Sequence, residues 1–252
     1  YKSLLVGTKV VFHLAANADV RYGINHPVKD LEENTLNTCK LLEVLRSTEI
    51  KNLIFASTGS VYGESSQIPT HEDCPFPIQT SLYAASKIAA EGFISAYCGG
   101  FGLNAIACRF VSLMGPRYIH GHVVDFVESL KLNPDMLNIL GDGNQFKSYF
   151  HVEDCINAML LFGNKLGNEI KGFMPINLGT EEGITVSESA KIISETLNLN
   201  PKLKFSGGKQ GWIGDNPIVQ LDISRAKKFG WRPTYSIKES IRSTAIWVYK
   251  NY

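Results

Sequence analysis

Leu53-Ile54-Phe55-Ala56-Ser57-Thr58-Gly59-Ser60 is a short apolar run that stops abruptly in small polar residues. A run of this length, followed by glycine punctuation at Gly59 and Gly63, reads as a buried strand that ends in a loop. Upstream, Val10-Val11-Phe12-His13-Leu14 has the same character and ends in Ala15-Ala16-Asn17. Between the two runs, Leu31, Leu41, Leu42 and Leu45, with Val44 beside them, predict a helix over residues 31–45. Downstream, an alanine-rich stretch from Ser81 to Tyr97 predicts a second helix, and Ala105-Ile106-Ala107-Cys108-Arg109-Phe110 a third strand. Strand, helix, strand, helix, strand is the pattern of a parallel sheet covered by helices, so the expected class is α/β.

The rest of the chain is less regular. The connection from Glu64 to Pro77 holds Pro69, Pro75 and Pro77, and loops this long are usually functional or mobile. Residues 123–132 and 152–161 are predicted helices, and Ile176-Asn177-Leu178 a short strand. Thr185-Val186-Ser187-Glu188 and Ser236-Ile237-Lys238-Glu239 are capping boxes that open helices to about Leu197 and Tyr249.

Composition narrows the function classes. The 252 residues carry a formal net charge of +1, which gives no electrostatic footprint for nucleic acid. No apolar run approaches the roughly 20 residues of a membrane helix, and no signal peptide is visible. Five cysteines (Cys39, Cys74, Cys98, Cys108 and Cys155) occur without a C-x-x-C pair, so neither a disulfide framework nor a metal site is expected, and the expected compartment is cytoplasmic. His120-Gly121-His122 lacks metal spacing and is expected to be solvated, whereas His13, in a strand, is expected in the core.

Tyr83-Ala84-Ala85-Ser86-Lys87 is the candidate for chemistry. Residues four apart share a helix face, and an ammonium beside a phenol favours phenolate. A tyrosine tuned in this way takes a proton from a substrate hydroxyl as hydride leaves the carbon. Alone the pattern is weak, because a surface tyrosine and a solvated lysine satisfy it equally. It is, however, the only Y-x-x-x-K in the chain, and it follows the strand that ends in Ser57-Thr58.

Taken together, the landmarks resemble the extended short-chain dehydrogenases/reductases of the NAD-dependent epimerase/dehydratase type. Phe55 to Gly63 is similar to their "S-S/T-x-x-V-Y-G" strand end, and Ser81 to Lys87 to their active-site helix. Val11 to Ala16 resembles the strand under the cofactor, and Arg109 through Gly115-Pro116-Arg117 the "R-x-x-N-x-x-G-P-R" motif. Phe150-His151-Val152-Glu153-Asp154, Asn177-Leu178-Gly179 and Gly230-Trp231-x-Pro233 follow in family order.

The resemblance implies a Rossmann-type sheet over residues 1–110. It implies a smaller α+β substrate lobe over 111–252, with segments returning to the sheet. It implies Thr58, Tyr83 and Lys87 as the catalytic set. Leu14, Ala15, Ala16, Asn34, Ser57 and Phe110, with Tyr83 and Lys87, would line NAD. Ser60, Ser112, Lys147, Lys209 and Asp215 would meet a nucleotide-sugar. Ser112 replaces the family asparagine, Lys147 replaces an arginine, and Gln210 stands beside Lys209 where arginine is common. Lys147 and Lys209 read equally well as solvated surface charge. A homodimer through helices near 31–46 and 81–97 is also implied, with Leu31, Leu42, Leu45 and Ile94 available either for contact or for core.

Dehydratases of this family place Asp-Glu after the strand-end threonine, whereas this chain has Gly59-Ser60. The implied reaction is therefore NAD-dependent epimerisation at C4 of a nucleotide-diphospho-sugar, first of all UDP-glucose/UDP-galactose, through a transient 4-keto sugar. A catalytically silent sugar-nucleotide-binding protein, and another NAD-dependent reductase or dehydratase, stand as alternatives. No G-x-x-G-x-x-G lies before His13. Two βα units, roughly 60 residues, are expected to be missing from this stretch of a longer protein, or from a depleted sheet that binds NAD weakly.

Overall fold

The computed structural model describes residues 5–75, 78–209 and 218–252. Along the chain run β1 (Val10–His13), α1 (Val20–Asn25), α2 (Pro27–Asp30), a π-helical segment (Leu31–Leu36) and α3 (Asn37–Arg46). Then come β2 (Asn52–Ala56), a 3-10 turn (Gly59–Tyr62), α4 (Leu82–Phe101) and β3 (Asn104–Phe110). Next are β4 (Ser112–Met114), α5 (His122–Leu132), β5 (Met136–Ile139), β6 (Phe146–Lys147), β7 (Tyr149–His151) and α6 (Val152–Lys165). The chain continues through β8 (Phe173–Leu178), β9 (Ile184–Thr185), α7 (Val186–Thr196) and β10 (Lys202–Phe205), and ends with β11 (Ile218–Val219), α8 (Ser224–Lys228) and α9 (Ile237–Asn251).

Two compact units result. The first comprises Tyr1–Phe110, Asn157–Leu178 and Ser224–Trp231, and the second Val111–Ile156, Gly179–Ile223 and Arg232–Tyr252. The first holds a parallel sheet in the order β1-β2-β3-β8. Its register aligns the strand ends: His13 faces Phe55, Ala56 faces Cys108, and Phe110 faces Leu178. Leu53, Phe55, Ala105 and Ala107 of this sheet pack with Leu42, Leu45, Ala90 and Ile94 of the helices into one core. Leu42, Leu45 and Ile94 are thereby taken from any subunit contact, while Leu31 stays 49% exposed.

Local chemistry sets the ends of α4. Ser81 in extended conformation accepts a hydrogen bond from Ala84 N at 3.1 Å, and Gly102 at φ +67° closes the helix in the left-handed region. The proline-bearing connection after Gly63 is pinned rather than loose at residues 70–73. Asn177 Nδ2 donates to the Thr70 carbonyl at 2.9 Å and Asn177 N to Glu72 Oε1 at 2.8 Å. Arg225 Nη2 donates to both Asp73 carboxylate oxygens at 2.9 Å.

The second unit is built from small pieces: β4 with β7, β5 with β10, and β11-β6-β9. Val123, Val127 and Leu130 of α5, Ile193 of α7, and Ile241, Ala245 and Val248 of α9 form its core. Both capping boxes are present, on α7 and α9. The strands of two to four residues went unread in the sequence because they are too short to display alternation.

Leu53→Ala, at a fully buried position, is expected to cost about 2–5 kcal/mol in urea unfolding. Leu31→Ala on the exposed π-helical segment should stay within about 0.5 kcal/mol of the parent.

Candidate active site

Thr58, Tyr83 and Lys87 converge within the first unit. Thr58, just past β2, caps the 3-10 turn by accepting from Ser60 N at 3.1 Å. Tyr83, Lys87 and Glu91 follow one another at four-residue spacing along α4, and all three are buried. A side-chain hydrogen bond joins Tyr83 to Thr58. Lys87 Nζ donates to the Ala56 carbonyl at 2.8 Å, 4.8 Å from the Phe55 ring centroid and 6.0 Å from that of Tyr83.

The electrostatics correct one expectation. Burial pushes the Tyr83 phenol up to about 12; the Thr58 hydrogen bond opposes this and the Asp30 charge adds to it. Burial likewise pulls Lys87 down to about 8, against Glu91 and Asp30. The ammonium was expected to make Tyr83 more acidic. Desolvation of the phenol dominates instead, so the resting tyrosine keeps its proton.

A shell of polar groups holds these side chains. Asn34 Nδ2 donates to Ser86 Oγ at 2.9 Å and to the Asn17 carbonyl at 3.2 Å, while its Oδ1 accepts from Asn17 N at 2.8 Å. Asn34 therefore fixes the turn after Ala16 to α4, its amide committed to protein partners. Asp30 Oδ1 accepts from Asn17 Nδ2 at 2.7 Å; its Oδ2, also buried, has no hydrogen-bond partner among the described residues. Thr38 Oγ1 donates to the Asn34 carbonyl at 2.6 Å, so at 2.8 Å it accepts from His13 Nε2.

Behind β2 lies a second network. Ser57 Oγ donates to Glu91 Oε1, and Arg109 grips both Glu91 oxygens, with Nη2 at 2.6 Å from Oε2. Arg109 Nη1 reaches Tyr62 Oη at 3.0 Å, and Tyr62 donates to Asn177 Oδ1 at 2.7 Å. Burial works against the Arg109 charge, but the hydrogen bonds and charge of Glu91, with Tyr62 adding to them, together prevail and hold it above its ordinary range.

The other sequence candidates differ in exposure. Leu14 and Ala15 are exposed, Ala16, Ser60 and Phe110 half-buried, and Ser57 fully buried. In the second unit, Ser112 and Lys209 are exposed and Lys147 is half-buried on β6. Asp215, with Gln210 and Gly211-Trp212, lies outside the described residues. Gly115, at φ +138°, has no room for a side chain: a Cβ would stand 2.7 Å from Val152 Cγ1. His122 is not solvated as expected. It bonds Ser189 Oγ at 2.8 Å beside Tyr149, and burial drops it to about 3. Among the described residues no cluster of three or more His, Cys, Asp or Glu could hold a metal, and no helix is long and apolar enough to cross a membrane.

Sequence reading passed over Asp30 and Glu91. Glu91 had a signal: a lone acid one turn after Lys87 in an alanine-rich helix. Asp30 had none, since its burial depends on how α2 packs.

Residues 4–179 match the family described as "Epimerase: NAD dependent epimerase/dehydratase family". The chain belongs to that family. The NAD-dependent epimerase/dehydratase family is an enzyme family with NAD as cofactor, and the chain's Rossmann-type sheet and motif order agree with membership. A putative UDP-glucose 4-epimerase of Methanocaldococcus jannaschii is 31% identical over 249 residues, covering 96% of this chain and 78% of the relative. A crystal structure of a UDP-galactose 4-epimerase aligns with TM-score 0.86 at 34% identity, over 99% of this chain and 81% of the other. A UDP-glucuronic acid 4-epimerase from Bacillus cereus, solved with UDP-glucuronic acid and NAD, aligns with TM-score 0.89 at 25% identity, over 100% and 78%.

His13 gives the site a pH signature. Burial first, and the Lys87 charge second, lower it from 6.5 to about 4. The unfolded chain therefore binds a proton that the folded one refuses as pH falls from the ordinary histidine value toward 4, and stability is lost over that window. The loss from this group should be about 3 kcal/mol in urea unfolding, and His13→Gln should remove that part of the slope.

Proposed function

We propose that this family member epimerises a nucleotide-diphospho-sugar at C4 of the hexose, with UDP-glucose/UDP-galactose as the first pair to test. The carrying observation is the convergence of Thr58, Tyr83 and Lys87 at the end of β2, with Gly59 and Ser60 rather than acids following Thr58. Removal of water needs an acid at the leaving hydroxyl, and these two positions supply none. The 4-epimerase relatives support the same branch.

Groups in the first unit fit NAD. Leu14 and Ala15, just beyond β1, are exposed apolar residues. The buried Lys87 ammonium gives one hydrogen bond to Ala56, and its other donors suit ribose hydroxyls. Leu14, Ala15, Ala16, Phe110 and Lys87 would hold the cofactor, with Asn34 and Ser57 supporting them from behind. NAD, when bound, supplies the hydride acceptor and donor. Thr58 orients the C4 hydroxyl of the sugar. Tyr83 receives its proton as the 4-keto sugar forms and returns it once the sugar has turned over. Because burial keeps the resting phenol protonated, Tyr83 must first release its own proton to solvent as cofactor and sugar bind, and the phenolate then takes the C4 hydroxyl proton. Ser60, Ser112, Lys147, Lys209 and Asp215 are the proposed sugar-nucleotide contacts, the lysines serving as point charges for the diphosphate.

A homodimer is part of this reading. Leu82, Phe93 and Phe101 of α4 and Val28, Leu31 and Leu36 near α2 are large apolar side chains left exposed. Phe93→Glu should halve the mass seen by sedimentation equilibrium; a parent chain already monomeric would remove this part of the proposal.

Tyr83→Phe should lower kcat for UDP-galactose to UDP-glucose conversion by about 10²–10⁴-fold with the fold intact by circular dichroism. Undiminished turnover would refute Tyr83 as the proton acceptor.

A further inference from the structure

Glu91 is a buried carboxylate that the reaction as described does not use. It lies one turn beyond Lys87 on α4 and is 2% exposed. Its Oε1 takes the Ser57 hydroxyl and Arg109 Nε, and its Oε2 takes Arg109 Nε and Nη2. Ser57 precedes Thr58, whose hydroxyl meets Tyr83. One carboxylate therefore ties the chain carrying Thr58 to the helix carrying Tyr83 and Lys87.

We propose that Glu91 is a positioning residue for this site, locking the Thr58 hydroxyl in register with Tyr83 while standing as the counter-charge of Lys87. The inference rests on the reading above, in which Thr58, Tyr83 and Lys87 meet the sugar and cofactor. A purely structural Glu91 would need only Arg109. The Ser57 bond adds a link to the reacting strand end, and the i, i+4 spacing places the charge beside the catalytic ammonium.

Among the described residues, few groups face Lys87. Glu91 and Tyr83 come from its own helix, Asp30 from α2, and a neutral His13 from β1. From β2 come the Phe55 ring and the Ala56 carbonyl, neither charged. Glu91 and Asp30 both hold Lys87 up against the pull of burial, with Glu91 the larger of the two. Removing the Glu91 charge thus lowers the pH at which Lys87 loses its proton.

Glu91→Gln alone would leave Arg109 buried and unpaired, which threatens folding. The paired variant Glu91→Gln with Arg109→Gln removes one charge of each sign. A second variant, Ser57→Ala, cuts the strand link but leaves the charge. Lys87 is titrated by NMR on the ligand-free chain with isotope-labelled lysine, its signal assigned by Lys87→Met. Turnover is followed on UDP-galactose with NAD, and folding by thermal melts.

In the paired variant the Lys87 midpoint should move down, because Glu91 is the larger of the two charges that hold Lys87 up and Arg109 is not among the charges acting on it, while Ser57→Ala leaves it in place. Both should lose about tenfold or more in kcat at neutral pH, with KM within about twofold, because positioning acts in the transition state. A folded paired variant whose Lys87 titrates as in the parent overturns the charge role. A Ser57→Ala chain with parental kcat overturns the positioning role. Parent turnover on this sugar separates the two levels. A parent inactive on UDP-galactose counts against the proposed substrate, and the Lys87 titration still decides the Glu91 charge.

Discussion

A carboxylate and a guanidinium, both withdrawn from water, hold the first unit together where Thr58, Tyr83 and Lys87 meet. Glu91 and Arg109 are 2% and 8% exposed, and they join at 2.6 Å in a fork geometry. Desolvating two charges is costly, and such a pair seldom exceeds a hydrophobic replacement in stability. What it contributes here is register. Arg109 is fixed to β3, Glu91 to α4 and Ser57 to the end of β2, so three elements cannot slide without breaking charge-assisted bonds. Tyr62 and Asn177 extend the network to the 3-10 turn and to β8.

That rigidity makes a second costly arrangement tolerable. Lys87 is 3% exposed and held near 8, far below an ordinary lysine, so at neutral pH the fold carries a poorly solvated ammonium. Tyr83 beside it is held as a neutral phenol. Both groups sit away from their ordinary protonation behaviour, which is typical of sites that exchange protons with a ligand rather than with water. The hydrogen bond of Lys87 to the Ala56 carbonyl and the Thr58 contact of Tyr83 keep the pair aimed at one strand end. The polar shell of Asn34, Asn17, Ser86 and Thr38 keeps the turn after β1 on the same side.

Much of this architecture could be read in the chain of letters. The apolar runs at Val10–His13 and Leu53–Ala56 and the alanine-rich helix after Ser81 announced a parallel sheet, because buried parallel strands are continuously apolar. The capping boxes at Thr185 and Ser236 were legible because they are local. The four-residue spacing of Tyr83 and Lys87 was legible for the same reason. The short strands of the second unit were not, since two to four residues carry no period. Neither was the anchoring of residues 70–73, which depends on Asn177 and Arg225 more than 100 residues away.

The sequence by itself determined the class of fold, the family, and which hydroxyl, phenol and amine were candidates, because those are carried by local pattern and motif order. Tertiary structure alone decided their protonation. The Tyr83 shift runs opposite to what its neighbour in sequence implies, because burial raises it by more than the Thr58 hydrogen bond lowers it. It also decided that Asn34 and Ser57 face inward to brace the site, and that Asp30 and Glu91 stand next to Lys87. Burial and long-range contacts belong to the packed interior, and no spacing along the chain encodes how much water a side chain will lose.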